Sequence, residues 1–316
     1  MRIVILDAQT VTNGDVSLEP IRECGELVVF PNTAYEDIAD RIADADAVLC
    51  NKSVLDSHSL RKAKHLRYIG LFATGYNNID TTYASEHGIT VCNAGGYSSN
   101  AVAQHTFALI LEHFNRVGEY SRFVKDGNWM NSATFSPFVF PTDELSGKTI
   151  GLIGYGAIAK AVAKIALAFD MRVLVHTRTP QVDSTVTFLP LDEMLSQVDV
   201  LSVHCPLNDQ TRGLLNAEKF ALCKKGVFLV NTSRGPIVDE PALQVALTDG
   251  SVCAAALDVL QVEPMQKGCE LNNLPNCMIT PHIAWAPVAT RERLVGIVVD
   301  NIKNFLNGTP THVVNS

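Results

Sequence analysis

At 316 residues, with 47% hydrophobic and 18% charged positions, the chain is too long for one ordinary core and suits two domains of average globular make-up. Its formal charge of -8 comes from acids scattered along the chain, which provides no basic track for a phosphate backbone and excludes nucleic acid as an expected partner. The opening apolar run Ile3 to Leu6 meets Asp7 too soon for a signal peptide or a membrane span, so the reading is a cytoplasmic protein with no membrane partner.

In chain order, short β-branched runs at Ile3 to Leu6, Leu27 to Phe30, Val48 to Cys50, Tyr68 to Ala73 and Ile89 to Val91 alternate with amphipathic stretches. That alternation predicts a parallel sheet covered by helices. A glycine-containing segment from Asn93 to Asn100 then feeds one long predicted helix from Ala101 to about Val124, with N-cap chemistry at Ser98 to Asn100. A polar, aromatic, proline-punctuated loop follows from Trp129 to Pro141, and a second strand-helix series begins at Thr149 and ends near His282. A last amphipathic helix, Thr290 to Leu306, has no strand after it and is expected to return to the first unit. The fold class is therefore α/β: two doubly wound parallel-sheet domains, with a cleft expected between them if the last helix returns to the first. The eight cysteines form no C-x-x-C pair and read as reduced, mostly buried thiols. The histidines stand at no ligand spacing, so no metal is expected.

The segment Thr149 to Ile153, then Gly154-Tyr155-Gly156-Ala157-Ile158-Ala159, then the helical run to Ala166, reads as strand, tight turn and helix. It is G-x-G-x-x-A in its proper context. Gly154 allows the turn, Gly156 lets backbone approach a pyrophosphate at a helix N-terminus, and Ala159 permits close helix-to-strand packing. Gly154, Gly156, Ala157 and Ile158 are accordingly expected at a dinucleotide. After the second strand, Arg172 to Val175, no acid stands where a ribose 2′-hydroxyl would be held; Thr177 occupies that place and Arg178 follows. A guanidinium there suits a 2′-phosphate, which favours NADP, while an Arg178 that merely stacks on adenine leaves NAD possible.

Three further segments place an ionisable residue just after a predicted strand, where an open parallel sheet gathers its ligands: Phe228 to Gly235, Ala256 to Pro264, and Met278 to Trp285. Together with the glycine turn and the run Leu201 to Gly213, these resemble the D-isomer-specific 2-hydroxyacid dehydrogenase family. Leu71 to Asp80 and His282-Ile283-Ala284-Trp285-Ala286 resemble its glycerate dehydrogenase and hydroxypyruvate or glyoxylate reductase branch. The likeness spans essentially the whole chain, and Gln104 departs from it where the family usually has Glu before His105.

The resemblance implies a flavodoxin-like, discontinuous substrate domain, residues 1–99 and 286–316, around a Rossmann-type dinucleotide-binding domain, residues 100–285, with the cleft between them. It implies an Arg-Glu-His triad at Arg234, Glu263 and His282. Further cofactor contacts are implied at His204, Cys205, Pro206, Thr211, Thr232, Ser233, Asp258, Thr106 and Ala284, and substrate contacts at Asn51, Ala73, Thr74 and Gly75 beside Arg234 and His282. The chemistry of the residues agrees. A fork-shaped cation can grip the carboxylate of a 2-keto acid and polarise the adjacent carbonyl. Imidazole changes charge near neutral pH and can protonate an alkoxide, and a carboxylate beside it favours its charged form.

The expected activity is hydride transfer from NAD(P)H to a small 2-keto acid, giving the D-2-hydroxy acid, with His282 as general acid. Hydroxypyruvate, glyoxylate or another 2-hydroxy acid pair stay open as substrate, and relatives suggest a homodimer. The rival class is a nucleotide-sensing, corepressor-like binding protein. It would call for a partner-docking cleft or a basic tail, neither of which is read here.

Overall fold

The computed structural model describes residues 1–315; Ser316, the last residue of the expected substrate domain, lies outside the described residues. The chain divides into two compact units, one of residues 1–98 with 286 onward and one of residues 99–285.

In the first unit, five strands form a parallel sheet in the order β2-β1-β3-β4-β5: β1 Arg2–Ile5, β2 Glu26–Val29, β3 Ala47–Cys50, β4 Tyr68–Leu71 and β5 Thr90–Cys92. The two middle strands β3 and β4 are buried along their whole length, as apolar runs covered on both faces must be. The helix Val288–Leu306 supplies part of that cover, burying Leu294, Val295, Val298, Val299 and Ile302 on one stripe. Its Phe305 ring lies 4.9 Å from that of Tyr68 on β4. Near its start, Arg291 grips the carboxylate of Asp15 with both terminal nitrogens, at 2.7 and 2.6 Å, a bidentate pairing that fixes the helix entry.

The second unit holds a seven-stranded parallel sheet ordered β12-β11-β10-β9-β6-β7-β8. Its strands are β6 Thr149–Ile153, β7 Arg172–His176, β8 Thr187–Phe188, β9 Val200–Val203, β10 Val227–Asn231, β11 Val252–Leu257 and β12 Cys277–Ile279. Each face has its own apolar cluster, one around Leu201, Leu229 and Leu257 and the other around Leu152, Val175 and Val230. Successive strands run outward from β6 to β8 on one side and from β9 to β12 on the other. Helices therefore leave β6 and β9 toward opposite faces, and a crevice opens outside the carboxyl ends of these two strands.

Two sequence expectations change. The long helix from Ala101 to Val124 is two helices, Ser99–Asn115 and Val117–Lys125. Between them Arg116 takes the left-handed conformation, with φ 50°, and the Glu112 carboxylate accepts the Gly118 N–H at 3.1 Å. A first-turn N–H is thus capped by a side chain of the preceding helix, which favours the break over continuation. The cysteines are also less buried than expected: Cys50, Cys92 and Cys205 are buried, Cys24, Cys223, Cys269 and Cys277 are half-buried, and Cys253 is exposed. Among the described residues no helix is long and apolar enough to cross a membrane, and no three His, Cys, Asp or Glu side chains gather as a metal site.

Candidate active site

All seven strands of the second unit point the same way, so the loops that follow them share one edge. The turn after β6 is forced by packing. Gly154 has φ 94°, and a Cβ there would stand 2.8 Å from the Cys205 nitrogen and 2.9 Å from the His204 carbonyl, so only glycine fits. Its N–H donates to the His176 carbonyl at 2.7 Å, and the His204 N–H to Ile153 at 2.8 Å, which ties the ends of β6, β7 and β9 together. Gly156 caps the helix Ala157–Ala168. It is exposed together with Ala157, and apart from its own chain neighbours and helix nothing lies within 4 Å of where its Cβ would be. Ala159 is fully buried behind it. An open helix N-terminus reached by side-chain-free backbone is a cradle for a pyrophosphate, and a nicotinamide dinucleotide fits it.

Around this turn, Thr177 is half-buried and Arg178 exposed, and among the described residues Arg178 enters no ion pair. The next loop folds back, with Asp183 accepting from the Tyr155 hydroxyl at 2.6 Å and from Thr185 at 2.6 Å. These bonds hold its carboxyl down at about 2. Sequence reading found no acid at the strand end and overlooked this one, six residues beyond Thr177.

The loops after β9 and β10 interlock. Burial lowers the His204 imidazole to about 4, so the ring is neutral near pH 7, and its Nε2 lies 2.9 Å from Ser202 Oγ. Burial pushes the Cys205 thiol up to about 11, which removes it as a nucleophile. The Ser233 hydroxyl donates to the Cys205 carbonyl at 2.6 Å, and the Thr211 hydroxyl closes its own turn by donating to the Pro206 carbonyl at 2.7 Å. Thr106 has no exposed surface; its hydroxyl donates to the Val102 carbonyl and lies 3.2 Å from that of Thr232. These two expected cofactor residues therefore bond to each other in the interior.

The three triad positions follow β10, β11 and β12, which are neighbours in the sheet. Asn231, fully buried at the end of β10, shapes the first loop: its amide donates to the Arg234 carbonyl and accepts from the Ser233 N–H, both at 3.0 Å. Arg234 is half-buried, with Nη1 donating to the Ser233 carbonyl at 2.7 Å. Next to it, Gly235 touches the Leu260–Gln261 peptide so closely that a Cβ would overlap it. That contact presses the Arg234 loop against the loop carrying Glu263. Glu263 Oε1 accepts from the Leu260 N–H at 3.0 Å, while Oε2 lies 2.7 Å from His282 Nδ1. A carboxylate only accepts, so Nδ1 carries the proton and Nε2 is the nitrogen available to a substrate.

His282 itself has φ 54°, in the left-handed region that few residues other than glycine adopt. It is held on every side. Its N–H donates to the Asp258 carbonyl at 2.8 Å, and its own carbonyl accepts from the Trp285 indole at 3.0 Å. The Asp258 carboxylate, 1% exposed, accepts from Thr280 Oγ1 at 2.6 Å and from the N–H groups of Ile283 and Ala284, each at 2.9 Å. Asp258, which the resemblance implies either contacts the nicotinamide amide or orders the site, binds the loop that presents His282. The sole sequence signal for that role is its place one residue beyond a strand.

In the first unit, Asn51 is 4% exposed and donates to Thr10, so its side chain serves the loop rather than an open surface. Asp7, missed by sequence reading, accepts from the N–H groups of Asn51, Lys52 and Ser53. The turn Ala73-Thr74-Gly75 is pinned by the Thr74 hydroxyl on the Gly95 carbonyl and by the Ala94 N–H on the Ala73 carbonyl. Among the described residues its own three N–H groups donate to no backbone acceptor.

A parallel sheet with a pyrophosphate cradle at its switch point and a carboxylate-oriented imidazole along the same edge defines a dinucleotide-dependent oxidoreductase. Comparison with known proteins gives the same answer in finer detail. Residues 107–284 match the profile of the D-isomer specific 2-hydroxyacid dehydrogenase, NAD binding domain. The chain is 40% identical over 321 residues to the hydroxypyruvate reductase of Blautia hydrogenotrophica, covering 100% of both. It is 36% identical over 317 residues to the glycerate dehydrogenase of Methylorubrum extorquens, covering 99% of this chain and 98% of that one. The crystal structure of an NADPH-dependent glyoxylate/hydroxypyruvate reductase from Sinorhizobium meliloti, with citrate, superposes with a TM-score of 0.87 at 29% identity, covering 99% and 97%. The chain belongs to the D-isomer specific 2-hydroxyacid dehydrogenases.

Proposed function

We propose that the protein reduces hydroxypyruvate, glyoxylate or a similar small 2-keto acid to the D-2-hydroxy acid, with Arg234, Glu263 and His282 as its catalytic residues. The observation that carries this is the 2.7 Å pairing of Glu263 with His282 on a loop packed against that of Arg234. The substrate names come from the reductases and dehydrogenase it resembles.

Bound nicotinamide supplies the hydride. The Arg234 guanidinium holds the substrate carboxylate and draws electron density toward the carbonyl oxygen. As that oxygen becomes an alkoxide, His282 Nε2 delivers its proton, and Glu263 keeps the ring turned so that Nε2 faces the substrate. In oxidation the neutral ring takes the proton back. In the first unit, the N–H groups of Ala73, Thr74 and Gly75 are assigned to substrate binding, a role supported by their lack of backbone acceptors among the described residues. Gly154, Gly156, Ala157 and Ile158 hold the pyrophosphate, and Arg178 the 2′-phosphate, which makes NADPH the preferred partner.

We also propose a homodimer. The helix Val117–Lys125 buries none of its residues, and Trp129, Met130, Phe135 and Phe138 follow it exposed, the last at 92%. An apolar run of that extent calls for cover, and a second copy is the cover assigned to it.

The test is a panel of 2-keto acids assayed with NADPH and NADH by loss of the reduced cofactor's absorbance. Turnover of hydroxypyruvate or glyoxylate, falling roughly a hundredfold or more in His282→Ala, is expected. No turnover of any 2-keto acid, or a His282→Ala variant within a few-fold of the parent, rejects the proposal.

A further inference from the structure

The helix Ser99–Asn115 brings one more titratable side chain to this edge. His105, with 20% of its side chain exposed, places Nε2 3.1 Å from Thr280 Oγ1 and 3.5 Å from Asp258 Oδ1. The proposed chemistry gives it no task, and sequence reading passed it over as the neighbour of Gln104.

The hydrogen-bond arithmetic fixes its state. Thr280 has a single hydroxyl proton, and the 2.6 Å bond to Asp258 Oδ1 uses it, because a carboxylate only accepts. Thr280 Oγ1 can therefore only accept from His105, so His105 must carry its proton on Nε2. From that position the proton faces the threonine hydroxyl and, more distantly, the carboxylate.

Asp258 is where the three strands of bonding meet. Its carbonyl takes the His282 N–H, and its carboxylate takes Thr280 before His282 and Ile283 and Ala284 after it. The ring carrying the proton in the proposed reaction is thus aimed by a buried carboxylate whose remaining side is closed by His105. We propose that His105 is a positioning residue for His282, acting through Thr280 and Asp258 as an obligatory Nε2 donor. This rests on the reading of His282 as general acid.

Three arms test it on the full chain. His105→Leu removes the donor and is expected to lower kcat for the keto acid about tenfold or more, since displacement of a reacting group by a fraction of an ångström to 1 Å has effects of that size. The dissociation constant for NADPH and the melting temperature should change little. His105→Gln carries an amide N–H the same number of bonds from Cβ and is expected to restore kcat to within about threefold of the parent.

The third arm needs no turnover. Ring-nitrogen NMR spectra at pH 8, with His105 assigned from its loss in His105→Gln, should show the Nε2–H tautomer. The His282 ring signals should move in His105→Leu and return in His105→Gln. An Nδ1–H tautomer at His105, a His105→Leu variant with kcat within twofold of the parent, or equal losses in the Leu and Gln variants overturns the inference. A parent enzyme inactive on every 2-keto acid removes the reading of the site instead, and the ring-nitrogen spectra still decide whether His105 aims His282.

Discussion

Gly235 sets the spacing between two of the three proposed catalytic side chains, and giving it a methyl group should separate them. A Cβ at this position would fall within 3.0 Å of the Leu260 carbonyl carbon and oxygen, and ordinary contact begins only near 3.4 Å. The neighbours are backbone, which cannot swing aside as a side chain would. Relief requires the Arg234 loop and the Leu260–Glu263 loop to part by on the order of 1 Å, a misplacement that lowers rates about a hundredfold. Overpacking of this kind also costs about 1–3 kcal/mol of stability, small enough beside a typical 5–15 kcal/mol for the variant to fold. The proposed pyrophosphate site follows β6, two strands away from β10, so nucleotide affinity should be kept. Steady-state kinetics of Gly235→Ala with a saturating keto acid, a fluorescence titration with NADPH and urea unfolding measure the three quantities. A kcat/KM within about threefold of the parent, in a folded variant, would refute the claim that this contact fixes the catalytic geometry.

Gly154→Ala should act the other way, weakening NADPH at least about tenfold, since φ 94° and a Cβ 2.8 Å from the Cys205 nitrogen leave an L-residue strained; unaltered binding counts against the turn as the pyrophosphate site. Arg178→Ala should depress kcat/KM with NADPH and leave NADH nearly alone, whereas equal effects on both reject the 2′-phosphate assignment. Acid should destabilise the fold in a defined window. Burial holds His113 and His204 at about 4 against an ordinary 6.5, so between those values the unfolded chain binds protons that the folded chain does not. Stability therefore falls as pH drops from about 6.5 to 4; for the half-buried His113 linkage sets an upper bound of about 2 kcal/mol at pH 5, which solvent screening reduces to roughly 1 kcal/mol. Urea midpoints at pH 7 and pH 5 should show a smaller drop in His113→Gln, and an identical drop in both proteins disproves the contribution.

Much of this architecture could be read before any coordinates because its signals are contiguous. Each parallel strand is a short apolar run covered on both faces, and the Gly154 turn sits between a strand and a helix within one stretch of sequence. Arg234, Glu263 and His282 likewise follow such runs directly. Side-chain bonds to loops and helix ends were not legible, whether their partners are near or far in sequence. Nothing in the run from Ala101 to Val124 announces that Glu112 will cap Gly118 and let Arg116 turn left-handed. The same holds for Asn231, whose amide shapes the Arg234 loop, and for His105, whose partner is 175 positions away. Cys253, the second residue of β11, is exposed because the register skips it between the Val227–Val252 and Phe228–Ala254 pairings, a bulge that an apolar run does not announce.

Asp7 and Asp258 have the same trade in two unrelated sheets. Each stands just past a strand end and collects the amide protons of the loop leaving the adjacent strand, β3 for Asp7 and β12 for Asp258. Every neighbour of these carboxylates is a donor, so an asparagine, equal in size, would turn its NH2 toward other hydrogens and keep only one oxygen to receive them. Isosteric replacement is here the harsher change for the backbone, and an acid at such an address is better regarded as a fastener of loops than as a reagent.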